Sequence, residues 1–280
     1  MPVTTLPEDG ELRLGAVTLP AGRRVHAPGN GATPRPVAWV TATLVPDPGR
    51  VWSRLSGLSE QTGLVPFLAV ARRGYQGRPW RDRVSADLNP YDSPAAADRF
   101  DAAAVLGQRW AGRAEDHDEY DDPEEERQFR EWEAARIAPF TQFPGLTPTT
   151  AEPLSPGEFA ACFDSLPPAR IGLAAAARPA DALIAMGWSP GNWWDGDAPM
   201  TAVLRSWEDR FGARLLTVDL IIVRLLVTRP PRDRATALRI AAEQWAFAYE
   251  CWPGKQTGLD YVDDIAAHLI NEPTWGFYWD

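Results

Sequence analysis

The sequence predicts an α+β fold: a mixed sheet with flanking helices, arranged in two lobes, the first carrying a β-α-β unit. Three observations point there. Strand-like and helix-like stretches alternate along the chain, the run Ala213 to Thr228 (ARLLTVDLIIVRLLVT) reads as a hairpin, and the chain ends in an isolated strand-like WGFYWD. Helical crossovers favour parallel pairing and hairpins require antiparallel pairing, so one sheet that holds both is mixed.

In chain order, Val37 to Val45 is the first predicted strand. Asp47-Pro48 then opens a helix to about Thr62, because a capping side chain followed by proline suits the first helical turn, where an N–H would have no partner. Val51, Leu55 and Leu58 share a face, and Gly63 is a left-handed stop. Leu64 to Ala71 completes the β-α-β unit, with a crossover long enough for parallel pairing. Ser93-Pro94 starts a second helix carrying Phe100, Ala104, Gly107 and Trp110 to a stop at Gly112. Asp122-Pro123 starts a third, with Glu124, Glu125 and Glu126 near the positive end of the helix dipole and Phe129, Trp132 and Ile137 as its buried stripe. Pro144 to Pro156 is rich in Pro and Thr and reads as a linker. It divides an N-terminal lobe, residues 1–145, with the β-α-β unit and an acidic helical insert, from a C-terminal α+β domain, residues 146–280.

Beyond the linker, Ser155 and Glu158 form a capping box ahead of Phe159, Cys162, Phe163 and Leu166. Arg170 to Ala177 is a strand, Pro179 to Met186 a short helix stopped by Gly187, and Pro199 to Phe211 a helix with Met200, Val203, Leu204, Trp207 and Phe211 inward. After the hairpin, Leu238, Ala241, Ala242, Trp245, Tyr249 and Trp252 mark a long amphipathic helix. Thr257 caps another with Leu259, Val262, Ala266 and Leu269 inward, and Trp275, Phe277 and Trp279 lie on one face of the last strand.

With 45% hydrophobic and 24% charged residues the 280-residue chain is of ordinary globular composition, which excludes collagen-like and disordered classes. Two cysteines make no disulfide framework, the start MPVTTLPEDGEL lacks a positive region before an apolar run, and Asp219 and Arg224 interrupt the longest apolar stretch. A cytoplasmic protein without a membrane segment is the expectation. The formal charge is -10, yet nine carboxylates fall in Glu115 to Glu126, so the remaining surface is nearly balanced. A field that would attract nucleic acid is disfavoured.

Several motifs fail on their own chemistry. Gly187-Trp188-Ser189-Pro190-Gly191 matches a nucleophile elbow, but it follows a helix instead of a strand, and Pro190 has no N–H for an oxyanion hole. Gly29-Asn30-Gly31 and Gly254-Lys255-Gln256 are incomplete phosphate loops. The three histidines share no ligand spacing with one another or with the cysteines, so no metal is expected, nor any cofactor.

Two features remain. Arg72 to Arg83 (RRGYQGRPWRDR) interleaves arginines with aromatics, and its Arg78 and Trp80 are candidate contacts for a small acidic ligand. Asn192-Trp193-Trp194-Asp195 is an aromatic loop before the helix bearing Arg205, Glu208, Asp209 and Arg210; Trp193, Trp194, Asp195 and Arg205 are candidate binding residues there. Arg205 and Asp209 are expected to pair at i, i+4. The leading expectation is a non-catalytic binding or regulatory protein that holds an unknown protein or small acidic ligand on these Trp- and Arg-rich loops. The alternative is a hydrolase or transferase acting on a carbohydrate or peptide-like substrate, with Glu208, Asp209 or Asp195 as acid and base.

The string Ala202-Val203-Leu204-Arg205-Ser206-Trp207-Glu208-Asp209-Arg210-Phe211-Gly212-Ala213-Arg214, with Arg170-Ile171-Gly172-Leu173 before it and the WGFYWD ending, resembles an actinobacterial family of uncharacterised proteins, domain of unknown function 4253. The resemblance is close from about Arg170 to Asp280 and extends upstream through Arg50-Val51-Trp52-Ser53-Arg54-Leu55, Thr62-Gly63-Leu64 and Arg78-Pro79-Trp80. Gly276 and Tyr278 depart from the family's usual W-S-F-W-W-D ending. The resemblance implies no activity, substrate or catalytic residue.

Overall fold

A computed structural model of the chain describes residues 5–26, 35–69, 93–112, 122–149, 152–190, 194, 196–219, 222–248 and 261–279. Among the described residues, eight strands make one mixed sheet: β1 Gly10–Leu14, β2 Val17–His26, β3 Pro36–Thr41, β4 Leu64–Ala69, β5 Arg170–Ala175, β6 Arg214–Val218, β7 Ile222–Leu226 and β8 Thr274–Tyr278. Their order across the sheet is β1-β2-β3-β5-β4-β6-β7-β8. The pair β4 and β6 is parallel, and the other pairs are antiparallel.

The β-α-β unit is present, but its two strands do not pair. β5 lies between β3 and β4, antiparallel to both. Gly172 makes that position possible, since a Cβ there would come within 2.1 Å of the Phe67 ring. The sheet therefore runs across the boundary expected at residue 145, with a strand from beyond it inserted among strands from before it. Alternation divides the strands between two apolar layers: Val65, Phe67 and Ala69 of β4 face one, Leu64 and Leu68 the other. Trp39, Trp52, Ile171 and Leu173 belong to the second layer.

Helices α1 Pro48–Ser56 and α2 Ser59–Thr62 replace the single helix expected from Pro48 to Thr62. Asp47 accepts from the Arg50 N–H, α1 ends at Gly57, and Gly63 takes the left-handed conformation after α2 (φ 64°). The expected helix from Ser93 is also divided. Pro94–Arg99 is a 3-10 turn, Phe100 is extended and 40% exposed, and Asp101 accepts from the Ala104 N–H to start α3 Ala102–Gly112. A better cap eight residues on thus takes the helix start from Ser93.

Helix α4, Pro123–Ile137, starts where expected, with Asp122 accepting from the Glu124 N–H. Its buried stripe is smaller than expected: Ile137 is buried, whereas Trp132 is 47% exposed. The helix supports itself through Arg127, which pairs with Glu124 and Glu131, and through Arg130 with Glu126. The predicted linker is tied down as a strap. Arg239 donates to the carbonyls of Pro144 (2.9 Å) and Leu146 (3.2 Å), Thr147 N–H donates to Glu243 (2.7 Å), and Leu154 N–H donates to the Thr228 carbonyl (2.8 Å).

In α5, Pro156–Ala161, both bonds of the Ser155–Glu158 capping box form. The Ser155 backbone N–H, then its hydroxyl and Arg232, hold the Glu158 carboxyl down at about 2. A carboxyl lowered on folding stabilises the native state above its unfolded pKa, and the stabilisation is lost as pH falls through the folded value. The difference in Tm between wild type and Glu158→Gln should therefore be constant above about pH 5 and shrink toward pH 2; a difference that does not change over that range would refute this role. Farther on lie a 3-10 turn Pro179–Asp181, then α6 Ala182–Met186, α7 Asp197–Phe211, α8 Arg234–Ala248 and α9 Val262–Leu269. No described helix is long and apolar enough to cross a membrane.

Candidate functional site

The parallel pair marks one end of the sheet, where several elements meet. β4 ends at Ala69 and β6 at Val218, side by side. β5 leaves this end at Arg170, and after α6 the chain returns to it, because the Trp188 indole N–H donates to the Asp219 carbonyl (3.0 Å) just past β6. The C-terminal part of β8 reaches the same end, with Trp279 packed 5.4 Å from Trp188.

An aromatic cluster fills this end. The Phe247 ring, one residue from the end of α8, lies 5.0 Å from Trp194, 4.8 Å from Phe277 and 5.9 Å from Trp279. Trp207 stacks on Phe277 at 5.4 Å. The Arg109 guanidinium, which donates to the carbonyls of Ala246 (2.9 Å) and Phe247 (3.4 Å), lies 4.0 Å over Trp194. Trp194 is 4% exposed, and its indole N–H has no hydrogen-bond partner. The indole N–H of Trp279 and both amide atoms of the fully buried Gln244, one turn before Phe247, are also unpartnered. The buried indole N–H groups of Trp245 and Trp275 are unpartnered as well, and Arg136 lies 4.5 Å over Trp245, so Trp194 shares this signature with another tryptophan of the core.

Of the residues singled out in sequence, Arg78, Trp80, Trp193 and Asp195 lie outside the described residues. Trp194 belongs to the cluster as a buried anchor, not an exposed platform. Arg205, Glu208 and Asp209 lie along α7 in an ion-pair network. Arg205 does not pair with Asp209: its Nε donates to the buried Asp181 (2.6 Å), Nη1 to Asp98 (2.5 Å) and Nη2 to the Pro94 carbonyl (2.8 Å). The Asp181 bond, acting against burial, raises its pKa. Asp209 is held by Arg178 at 2.6 Å, and Glu208 accepts from Arg178 (3.0 Å) and from the Ala180 N–H (3.1 Å). Burial opposes the charge on Arg178, but Glu208 and Asp209 outweigh it and raise the guanidinium pKa.

Gly187 ends α6 in the left-handed conformation (φ 65°), so Ser189 stands in a loop after a helix and not on a strand-to-helix turn. Burial pushes the Cys162 thiol up, and Cys251 is outside the described residues. Among the described residues no group of three or more His, Cys, Asp or Glu could hold a metal ion. Arg109, Arg170 and Gln244 were not singled out in sequence as site residues. For Arg170 a signal existed: a charged residue opening the otherwise apolar strand RIGLAA sits, by alternation, on a buried face.

Fold and cluster define an α+β protein built on a single mixed sheet, with a layer of tryptophans beneath the carboxyl ends of its parallel pair. Residues 170–280 match the family model described as domain of unknown function (DUF4253), as the sequence strings predicted. No curated protein and no solved structure matches the chain. The matched segment carries the whole aromatic cluster except its cation, Arg109.

Proposed function

We propose that this is a binding protein without chemistry of its own, which holds a small acidic ligand at the carboxyl end of the parallel pair, against the aromatic cluster. The observation that carries the reading is Trp194: a buried indole whose N–H has no partner, lying under the Arg109 guanidinium and beside Phe247. An aromatic wall with a few convergent polar groups is the usual make-up of a small-molecule site. Acid–base chemistry on α7 has less support, because Glu208 and Asp209 are both engaged by Arg178 and a carboxylate in an ion pair is a poor proton carrier.

Native mass spectrometry of the protein purified from its own host tests this. A discrete added mass that disappears on denaturation is expected, and Trp194→Phe, which keeps the ring and removes the N–H, should weaken the complex about tenfold or more, the usual worth of one hydrogen bond to a charged group, so that on serial dilution its adduct is lost at a correspondingly higher concentration than that of wild type. A bare mass, or an adduct equally occupied in Trp194→Phe, would refute the reading.

A further inference from the structure

Arg170 has no acceptor for a buried donor. It opens β5 opposite Ala69 of β4, which is itself opposite Val218 of β6. Ile171 and Leu173 face one apolar layer and Ala174 the other, so Arg170 points to the Ala174 side, the layer that also holds Trp188 and Trp194. The row across this end of the sheet reads guanidinium, methyl, isopropyl, with the small Ala69 in the middle. The side chain is half-buried, its Nε–H is buried, and that N–H has no hydrogen-bond partner. By contrast, Arg178, Arg205 and Arg210, on or against α7, have carboxylate acceptors within 3.1 Å, namely Glu208 and Asp209, Asp181 and Asp98, and Glu243; Arg239 shares the unpartnered Nε–H but donates through Nη2 to the Pro144 and Leu146 carbonyls.

A guanidinium does not lose its proton to relieve burial, so its desolvation has to be met by an acceptor. Nε–H with the neighbouring Nη–H makes a side-on fork that fits two oxygens of a carboxylate or phosphoryl group. We infer that Arg170 is the anchor for the oxyanion of a small ligand at the carboxyl end of β4 and β6. The inference rests on the binding reading above and names the chemical group that the ligand presents.

It has a readout that needs no natural ligand. If Arg170 serves the ligand, it is a burden in the ligand-free protein, and Arg170→Met, which keeps the stem and removes the charge, should leave Tm unchanged or raise it by about 2 °C, the shift expected for 1 kcal/mol in a cooperative unit of this size. In wild type, inorganic phosphate at millimolar concentration should raise Tm saturably above a chloride control of equal ionic strength, and in Arg170→Met that increment should disappear. The variant also removes the general salting effect of phosphate from the comparison. Acetate in place of phosphate identifies the group: an equal increment points to a carboxylate ligand, and an increment with phosphate alone points to a phosphoryl ligand. A fall in Tm for Arg170→Met would make the residue structural, and an equal phosphate response in both proteins would place the anion elsewhere; either overturns the inference. A Trp194-dependent adduct in native mass spectrometry together with no phosphate response would leave the binding reading standing and remove this anchor alone.

Discussion

Residues 146–280 expressed alone are expected to show no cooperative unfolding transition, although this fragment contains all of the segment that matches the family model. The reason is the strand order. β5 and β6 both belong to the fragment, yet β4, which belongs to residues 1–145, lies between them and pairs with each. Without β3 and β4, β5 has no neighbour, β6 keeps only β7 and becomes an edge, and the face that packs on Trp39, Trp52, Leu64 and Leu68 is open to water. The Trp52 indole N–H, which donates to the Leu215 carbonyl of β6 (3.0 Å), and the Ser56 hydroxyl, which accepts from Arg214 (3.0 Å), are lost as well. Urea titration followed by circular dichroism on the fragment, on residues 1–145 and on the two together distinguishes the cases. A broad, non-cooperative fragment that gains a sharp transition on adding residues 1–145 is the expected result. A sharp transition from the fragment alone would make residue 145 a true domain boundary.

The same arrangement explains what could be read from the sequence. Local chemistry was legible: Asp47, Asp122 and Ser155 cap the helices that their Asp-Pro and Ser-Pro pairs announced, and Trp275, Phe277 and Trp279 are all buried on one face as a period of two requires. The hairpin of β6 and β7 was legible because both partners lie within one run of sequence. The position of β5 was not, because nothing local says that a strand near residue 172 will enter between strands near residues 40 and 67. The hairpin of β1 and β2 was missed because its outward residues are polar and its inward ones few, so GELRLGAVTLPAGRRVH does not stand out as strand.

Arg205 shows the limit for the candidate site. Helical spacing offers Asp209, but Asp181, distant in sequence, is buried and presents both oxygens to the fork, which is worth more than an exposed pair one turn away. Trp194 stands out in the sequence as a loop aromatic, but whether it is platform or core depends on Phe247 and Arg109, and both are brought to it only by the packing of α3 and α8.

Glu243→Ala should cost about 3–5 kcal/mol, the range for removing one partner from a buried ion pair. The side chain is fully buried in the middle of α8 and is held there by four donors. Arg210 offers both Nη groups at 2.8 and 2.6 Å, the Trp207 indole N–H is at 2.9 Å, and the Thr147 backbone N–H at 2.7 Å. Alanine would leave the Trp207 indole and the Thr147 peptide N–H without acceptors, and would strip the 14%-exposed Arg210 guanidinium of its counter-charge, leaving it only the Thr147 carbonyl and Ser206. Glu243→Gln keeps one carbonyl oxygen and should lose less, because some of the donors remain matched. Pairing Glu243→Met with Arg210→Met should cost less than the sum of the two single changes, since the second substitution removes the charge stranded by the first. The bond to Thr147 adds a local consequence. Glu243 and Arg210 together hold the N–H and the carbonyl of one strap residue, so the variant should speed hydrogen exchange at the Thr147 amide beyond what global destabilisation explains. Denaturant melts give the first quantity and amide exchange under native conditions the second. A loss under about 1 kcal/mol would mean that the strap and α7 are held by apolar packing, with the ion pair no stronger than an exposed one.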